Sequence, residues 1–159
     1  HHYETGDVLP KELLQKIKKS KNFRSGTNCL RQLTFGYLDM AWFGQHNDVD
    51  NVEEFERKAV KKTMLREQDT PGASISTMFA HIFAGGYSAG YYSYKWAEVL
   101  DADAFEKFQE DGIFNKDTAK SFRDNILSQG NISHPLELYK HFRGREPKVE
   151  ALLKREGLL

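Results

Sequence analysis

The sequence predicts an all-α protein with no substantial sheet. Apolar residues recur at three- and four-residue steps, the period of a helix with one buried face. Gly, Pro, Asn and Asp fall between those periodic segments, where turns and helix ends call for them. Residues 75–82 have strand-like content, but no second segment offers itself as a partner. At 159 residues, with 39% hydrophobic and 29% charged side chains, the chain 1–159 reads as one folded α-helical unit.

The elements follow in order. Residues 3–10 form a turn-rich entry with Gly6 and Pro10. Residues 11–19 make a short amphipathic helix with Leu13, Leu14 and Ile17 on one side, and 20–26 are a polar connection. A long helix covers 27–43, where Leu30, Leu33, Tyr37, Met40 and Ala41 form a stripe that Leu38 and Trp42 widen; Gly44 suits its end. Asp48 to Asp50 offers caps for a charged helix over 52–65, whose apolar positions are Val52, Phe55, Ala59, Val60 and Met64. Residues 69–72 are a turn, and 73–83 are short helix or irregular. After a Gly85-Gly86 break, a helix runs over 87–109 until Asp111-Gly112, with Trp96 and Phe105 assigned to the core. Asn115 or Asp117 opens a helix to 127, which Gly130 closes. Ser133 caps a helix that has Pro135 in its first turn and runs to 142. A last helix over 149–156 ends at Gly157.

Charge narrows the function. Lys plus Arg equals Asp plus Glu at 23 each. That balance argues against a nucleic-acid or anionic-membrane surface, which needs clustered positive charge. No apolar run approaches the roughly 20 residues of a membrane span. The single Cys29 excludes an internal disulfide and a Cys-based zinc cluster, and it fits a reducing compartment. The opening HHYETGDVLP starts within a turn-like segment, which suggests a chain cut from something longer. His1 and His2 match the end of a purification tag and are not counted as ligands.

Residues 81–99, HIFAGGYSAGYYSYKWAEV, carry the chemistry. Gly85 and Gly86 free the backbone for positive φ and for close approach to a ligand. On a helix, Tyr87, Tyr91 and Tyr94 fall at i, i+4 and i+7 and share one face. A His beside a row of phenol donors can hold a polarised carbonyl or an oxyanion. The plain alternative is that His81, Tyr87 and Tyr94 are packing residues with satisfied polar tips, and that the Gly pair is a tight turn. Tyr92 points elsewhere and is assigned a structural role.

The stretch HIFAGGYSAGYYSYKWAEVLDADAFEKF resembles the C-terminal catalytic region of the thimet-oligopeptidase family of zinc metallopeptidases, in its oligopeptidase A and peptidyl-dipeptidase branch. HYETGDVLP, LRQLTFGYLDM, GIFN, FRDNILSQG and FRGREP resemble the same family's tail in the same order. The resemblance implies an almost entirely helical portion of a zincin-like catalytic domain, cytoplasmic, with short peptides as substrates. It implies one zinc ion held by H-E-x-x-H and a further Glu. This sequence has His only at 1, 2, 46, 81, 134 and 141, so it lacks that motif and holds no metal ligand set. The resemblance therefore implies a C-terminal fragment, inactive alone, whose zinc ligands lie upstream.

By the same resemblance Tyr94 donates to the oxyanion, Tyr87 and His81 assist as catalytic residues, and Tyr91, Gly85 and Gly86 contact substrate. His46 is assigned to a solvated loop, His134 to a helix entry and His141 to a helix C-terminus. Arg143 and Arg145 are assigned to structural ion pairs, with Glu146 or a helix end. Two other functions are weighed: a non-catalytic helical interaction module, and a nucleic-acid platform that the zero net charge disfavours. Helices that pack on a missing half would expose apolar faces, so self-association or a rearranged segment 73–90 is expected.

Overall fold

The computed structural model describes residues 1–44, 48–66 and 70–159; His46 and Asp69 lie outside them. Helices and turns make up those residues, and no strand is present among them.

Helix α1 (Lys11–Ser20) buries none of its residues, and Leu13, Leu14 and Ile17 are half exposed. Helix α2 (Ser25–Phe43) ends at Gly44, whose N–H donates to the Met40 carbonyl. Gly is needed there for room, because a Cβ would stand 2.4 Å from that same oxygen. The buried residues of α2 are Thr34, Leu38 and Asp39. The stripe of Leu33, Tyr37 and Met40 is instead exposed.

Helix α3 (Val52–Val60) is capped by Asn51, which accepts from the Glu54 N–H at 3.0 Å; the caps expected at Asp48 to Asp50 are not used. It also stops short of residue 65. The Thr63 hydroxyl bonds the Val60 carbonyl and receives the Thr34 hydroxyl at 2.7 Å, so the turn after Val60 competes with helix continuation. A single 3₁₀ turn (Ser76–Met78) and a one-turn helix α4 (Ala80–Phe83) follow. Buried Glu56 ties this segment to α3 by accepting from the Ser74 hydroxyl and from the Ile75 and Ser76 N–H groups.

Helix α5 (Ser93–Asp111) begins later than the sequence predicts, since residue 87 is irregular and 88–92 are turns. Helix α6 (Lys116–Phe122) has the expected Asn115 cap and passes into a π-helical turn, Arg123–Leu127. Helix α7 (Pro135–Arg143) is capped by the His134 ring, which accepts from the Leu136 N–H, rather than by Ser133. Helix α8 (Glu150–Arg155) ends the chain's regular structure.

Two lobes result. In the first, Leu38, Val60, Phe79 and Ile82 form a core that Phe35, Trp42, Met64 and Tyr91 extend. In the second, Val99 and Ala102 of α5 pack on Ala151 and Leu152 of α8, while Ala104 packs on Tyr139 and Phe142 of α7. Because α5 turns its small residues to its partners, Trp96 and Phe105 are left outward, 45% and 44% exposed, contrary to their core assignment. They line an apolar cleft of about 660 Å³ with Leu100, Phe108, Phe122 and Leu136.

Candidate functional site

The segment between α4 and α5 is a tight turn followed by a non-helical loop. The Tyr87 N–H returns to the His81 carbonyl at 3.1 Å. A Cβ on Gly85 would lie 2.8 Å from that carbonyl oxygen and 2.9 Å from the His81 Cα, so the close approach that Gly85 permits is to the chain itself. Gly86 sits at φ 80°, a value that favours glycine.

Beyond it, the chain is shaped by a residue about fifty positions earlier. Asp39 of α2 is wholly buried, and its two carboxylate oxygens accept from the Ala89 N–H at 2.8 Å and the Tyr91 N–H at 2.9 Å. The Ser88 hydroxyl donates to the Ile82 carbonyl. Ala89 is held at φ 55°, a left-handed conformation that costs a side-chain-bearing residue about 1–2 kcal/mol. These bonds stop residues 87–92 from forming the expected helix.

The aromatic group assembles all the same. The Tyr87 and Tyr94 rings stack with centroids 5.3 Å apart, and Tyr91 lies 4.9 Å from Tyr94. His81 stands 6.1 Å from Tyr87 and edge-on to Tyr91 at 6.2 Å. Tyr91 is half-buried against Phe79 and Phe35, at 5.0 and 5.6 Å. Tyr87 and Tyr94 remain 36% and 42% exposed, so neither is sealed inside hydrocarbon. The four residues singled out for chemistry are thus one cluster, although not on one helical face. The adjoining Tyr87 phenol, aided by burial and by the Tyr91 phenol, pushes the Tyr94 phenol above its ordinary value. Tyr94 is therefore a neutral donor at neutral pH, the state an oxyanion partner requires.

His81 and Tyr91 form a wall between two clefts. One, of about 580 Å³, is mainly apolar and bounded by Leu30, Phe35, Met64 and Phe79. The other, of about 490 Å³, is bounded by Tyr94, Gln32, Glu98 and Asp101. Among the described residues no three His, Cys, Asp or Glu side chains are grouped so as to hold a metal ion.

Tyr92 is 59% exposed rather than packed. Arg145 donates to Asp103 at 2.6 and 3.0 Å and to the Glu146 carbonyl, not to its carboxylate. Arg143 holds Glu110 with two nitrogens and reaches Glu106. His141 stands in the last turn of α7. Asp39 escaped the sequence reading, because an acidic residue within an apolar helix stripe carries no mark of the loop it will bind.

A family model described as peptidase family M3 matches residues 1–158. Oligopeptidase A of Escherichia coli is 47% identical over 158 residues, and dipeptidyl carboxypeptidase of the same organism is 35% identical over 159. Saccharolysin of Saccharomyces cerevisiae is 33% identical over 166 residues. Each alignment takes in 99% of this chain, but the chain spans only 23%, 23% and 22% of these relatives' lengths.

Proposed function

The chain belongs to peptidase family M3, and we propose that in a full-length enzyme it supplies the substrate-facing and oxyanion-stabilising side of a site that hydrolyses short peptides. The convergence of His81, Tyr87, Tyr91 and Tyr94 into one ring cluster, with His81, Tyr91 and Tyr94 lining an exposed cleft, carries this reading. The names of the relatives, oligopeptidase A among them, support the substrate class.

In the proposed reaction, water attacks the peptide carbonyl and charge gathers on its oxygen. Tyr94 donates its phenol hydrogen to that oxygen, and a donor aimed at the developing charge strengthens as the barrier is crossed. Tyr87, whose ring stacks on that of Tyr94 at 5.3 Å, assists by holding it in place. His81 and Tyr91 position the substrate backbone at the wall between the two clefts, and Gly85 and Gly86, in the turn closed by the Tyr87 N–H, contact it with their main chain.

The proposal includes zinc, which when bound activates water and polarises the carbonyl. The described residues do not fit as its ligands, and we assign those ligands to polypeptide outside this chain. On this reading the isolated chain hydrolyses nothing. Leu13, Leu14 and Ile17 on the uncovered face of α1 support its self-association in isolation. The proposed enzyme is cytoplasmic, a compartment that the single Cys29 fits.

The test is Tyr94→Phe in the full-length protein. Loss of one oxyanion donor lowers kcat on the order of a hundredfold while KM changes little. Undiminished kcat removes the oxyanion role.

A further inference from the structure

We infer that Asp39 is a positioning residue for the tyrosine cluster, fixing the loop that carries Tyr91 and, through ring contact, the placement of Tyr94. The inference rests on the reading of Tyr94 as an oxyanion donor. Asp39 is wholly buried and cannot itself meet substrate.

Three observations support the assignment. The Ala89 and Tyr91 N–H groups lie in a non-helical stretch, and one carboxylate takes both. Among the described residues, Ala89 is one of two non-glycine residues held at positive φ, the other being Arg24. A carboxylate that bridges residue 89 and its second neighbour keeps the chain in that disfavoured conformation. Finally, Phe35, one turn before Asp39 on α2, packs edge-on against the Tyr91 ring. The two residues of α2 therefore grip Tyr91 by its backbone and by its ring, and Tyr94 leans on Tyr91 at 4.9 Å. Only a group with two acceptor oxygens completes the arrangement. An Asn offers one oxygen and an NH₂, which leaves one loop N–H facing a donor.

The test uses the full-length enzyme and three variants: Asp39→Asn, Ala89→Gly and the two combined. Asp39→Asn lowers kcat on the order of a hundredfold, as a catalytic group displaced by about 1 Å would, with little change in KM. Amide exchange at residues 89 and 91 speeds up while α5 and α7 keep their protection. Ala89→Gly alone is near wild type. In the double variant the glycine adopts positive φ without strain and recovers about tenfold of the lost kcat.

Wild-type kcat and exchange in Asp39→Asn overturn the inference. So does a loss that Ala89→Gly leaves untouched, which marks Asp39 as a packing residue only. Should Asp39→Asn not fold, a folded double variant supports the inference and an unfolded one overturns it. The two readings separate cleanly. If Tyr94→Phe keeps full kcat while the exchange pattern at 89 and 91 responds as stated, the oxyanion role falls and the positioning of the loop stands.

Discussion

Asp39 and Asp103 are both wholly buried carboxylates, and the protein answers them in opposite ways. Asp39 is met by main-chain N–H groups from a loop. Asp103 is met by side chains: two nitrogens of Arg145, the Tyr139 hydroxyl at 2.6 Å, and the Arg143 Nε at 3.6 Å. The first arrangement gives a shape to chain that has no regular structure of its own. The second fastens α5 to α7 and to the residues just beyond it. A buried charge paired with arginine acts on the assembly of helices, whereas one paired with backbone acts on the course of a single loop.

The sharpest way to break this contrast is Asp103→Ala. It leaves the charge of Arg145, and of the nearly buried Arg143, without the carboxylate at their centre. Removing one member of such a buried cluster costs about 3–5 kcal/mol, read as a fall in the urea-unfolding midpoint. A loss no larger than a surface substitution gives would abolish the distinction drawn here.

Gly85→Ala probes the other side with a smaller effect. The new Cβ meets the His81 backbone at 2.8–2.9 Å, and main chain does not yield as a flexible side chain does. The expected destabilisation is roughly 1–3 kcal/mol. It should come with disturbed ring-current shifts at His81 and Tyr87 and unchanged signals in α7 and α8. Disturbance spread evenly over both lobes would contradict a locally shaped loop.

The smallest effect is acid sensitivity. Burial alone would raise the Asp103 carboxyl, but hydrogen bonds from Arg145 and Tyr139, with the charges of Arg145 and Arg143, outweigh it and hold it below the usual range. Glu56 is lowered in the same manner: burial opposes, and bonds from Ser76, Ser74 and Ile75 prevail. A carboxyl depressed in the folded state adds stability above its unfolded value of about 4 and loses it as pH falls through the folded value. Stability should therefore be level from neutral pH to about pH 5 and decline below that, with a shallower decline in Asp103→Asn. The Tyr139 phenol, driven far up by burial and by Asp103, stays neutral throughout that range.

The helices were largely readable in the sequence, since periodicity and caps such as Asn115 act within a few residues. What failed were the properties set by distant chain. Leu33, Tyr37 and Met40 form as good a stripe as the buried face of α2, and periodicity alone does not say which face a neighbour covers. Trp96 and Phe105 failed for the same reason, because α5 meets α7 and α8 through another face, which carries Val99, Leu100, Ala102, Ala104 and Phe108. The residues of the candidate site were legible as a group, since composition marks the stretch 81–94. Their geometry was not, because a carboxylate at 39 decides whether residues 87–92 coil or turn. Stopping α3 at Val60 likewise depended on Thr34, 29 positions from Thr63.

The two tryptophans fall one to each lobe. Trp42 packs on Phe55 at 4.3 Å and donates its indole N–H to Ser76, whereas Trp96 stands half in solvent on α5. Their emission maxima should therefore differ, with the Trp42 band to the blue. Excitation of the native chain then gives an optical record with two independent channels. Whether the lobes melt as one cooperative unit or part company first becomes visible without adding any label.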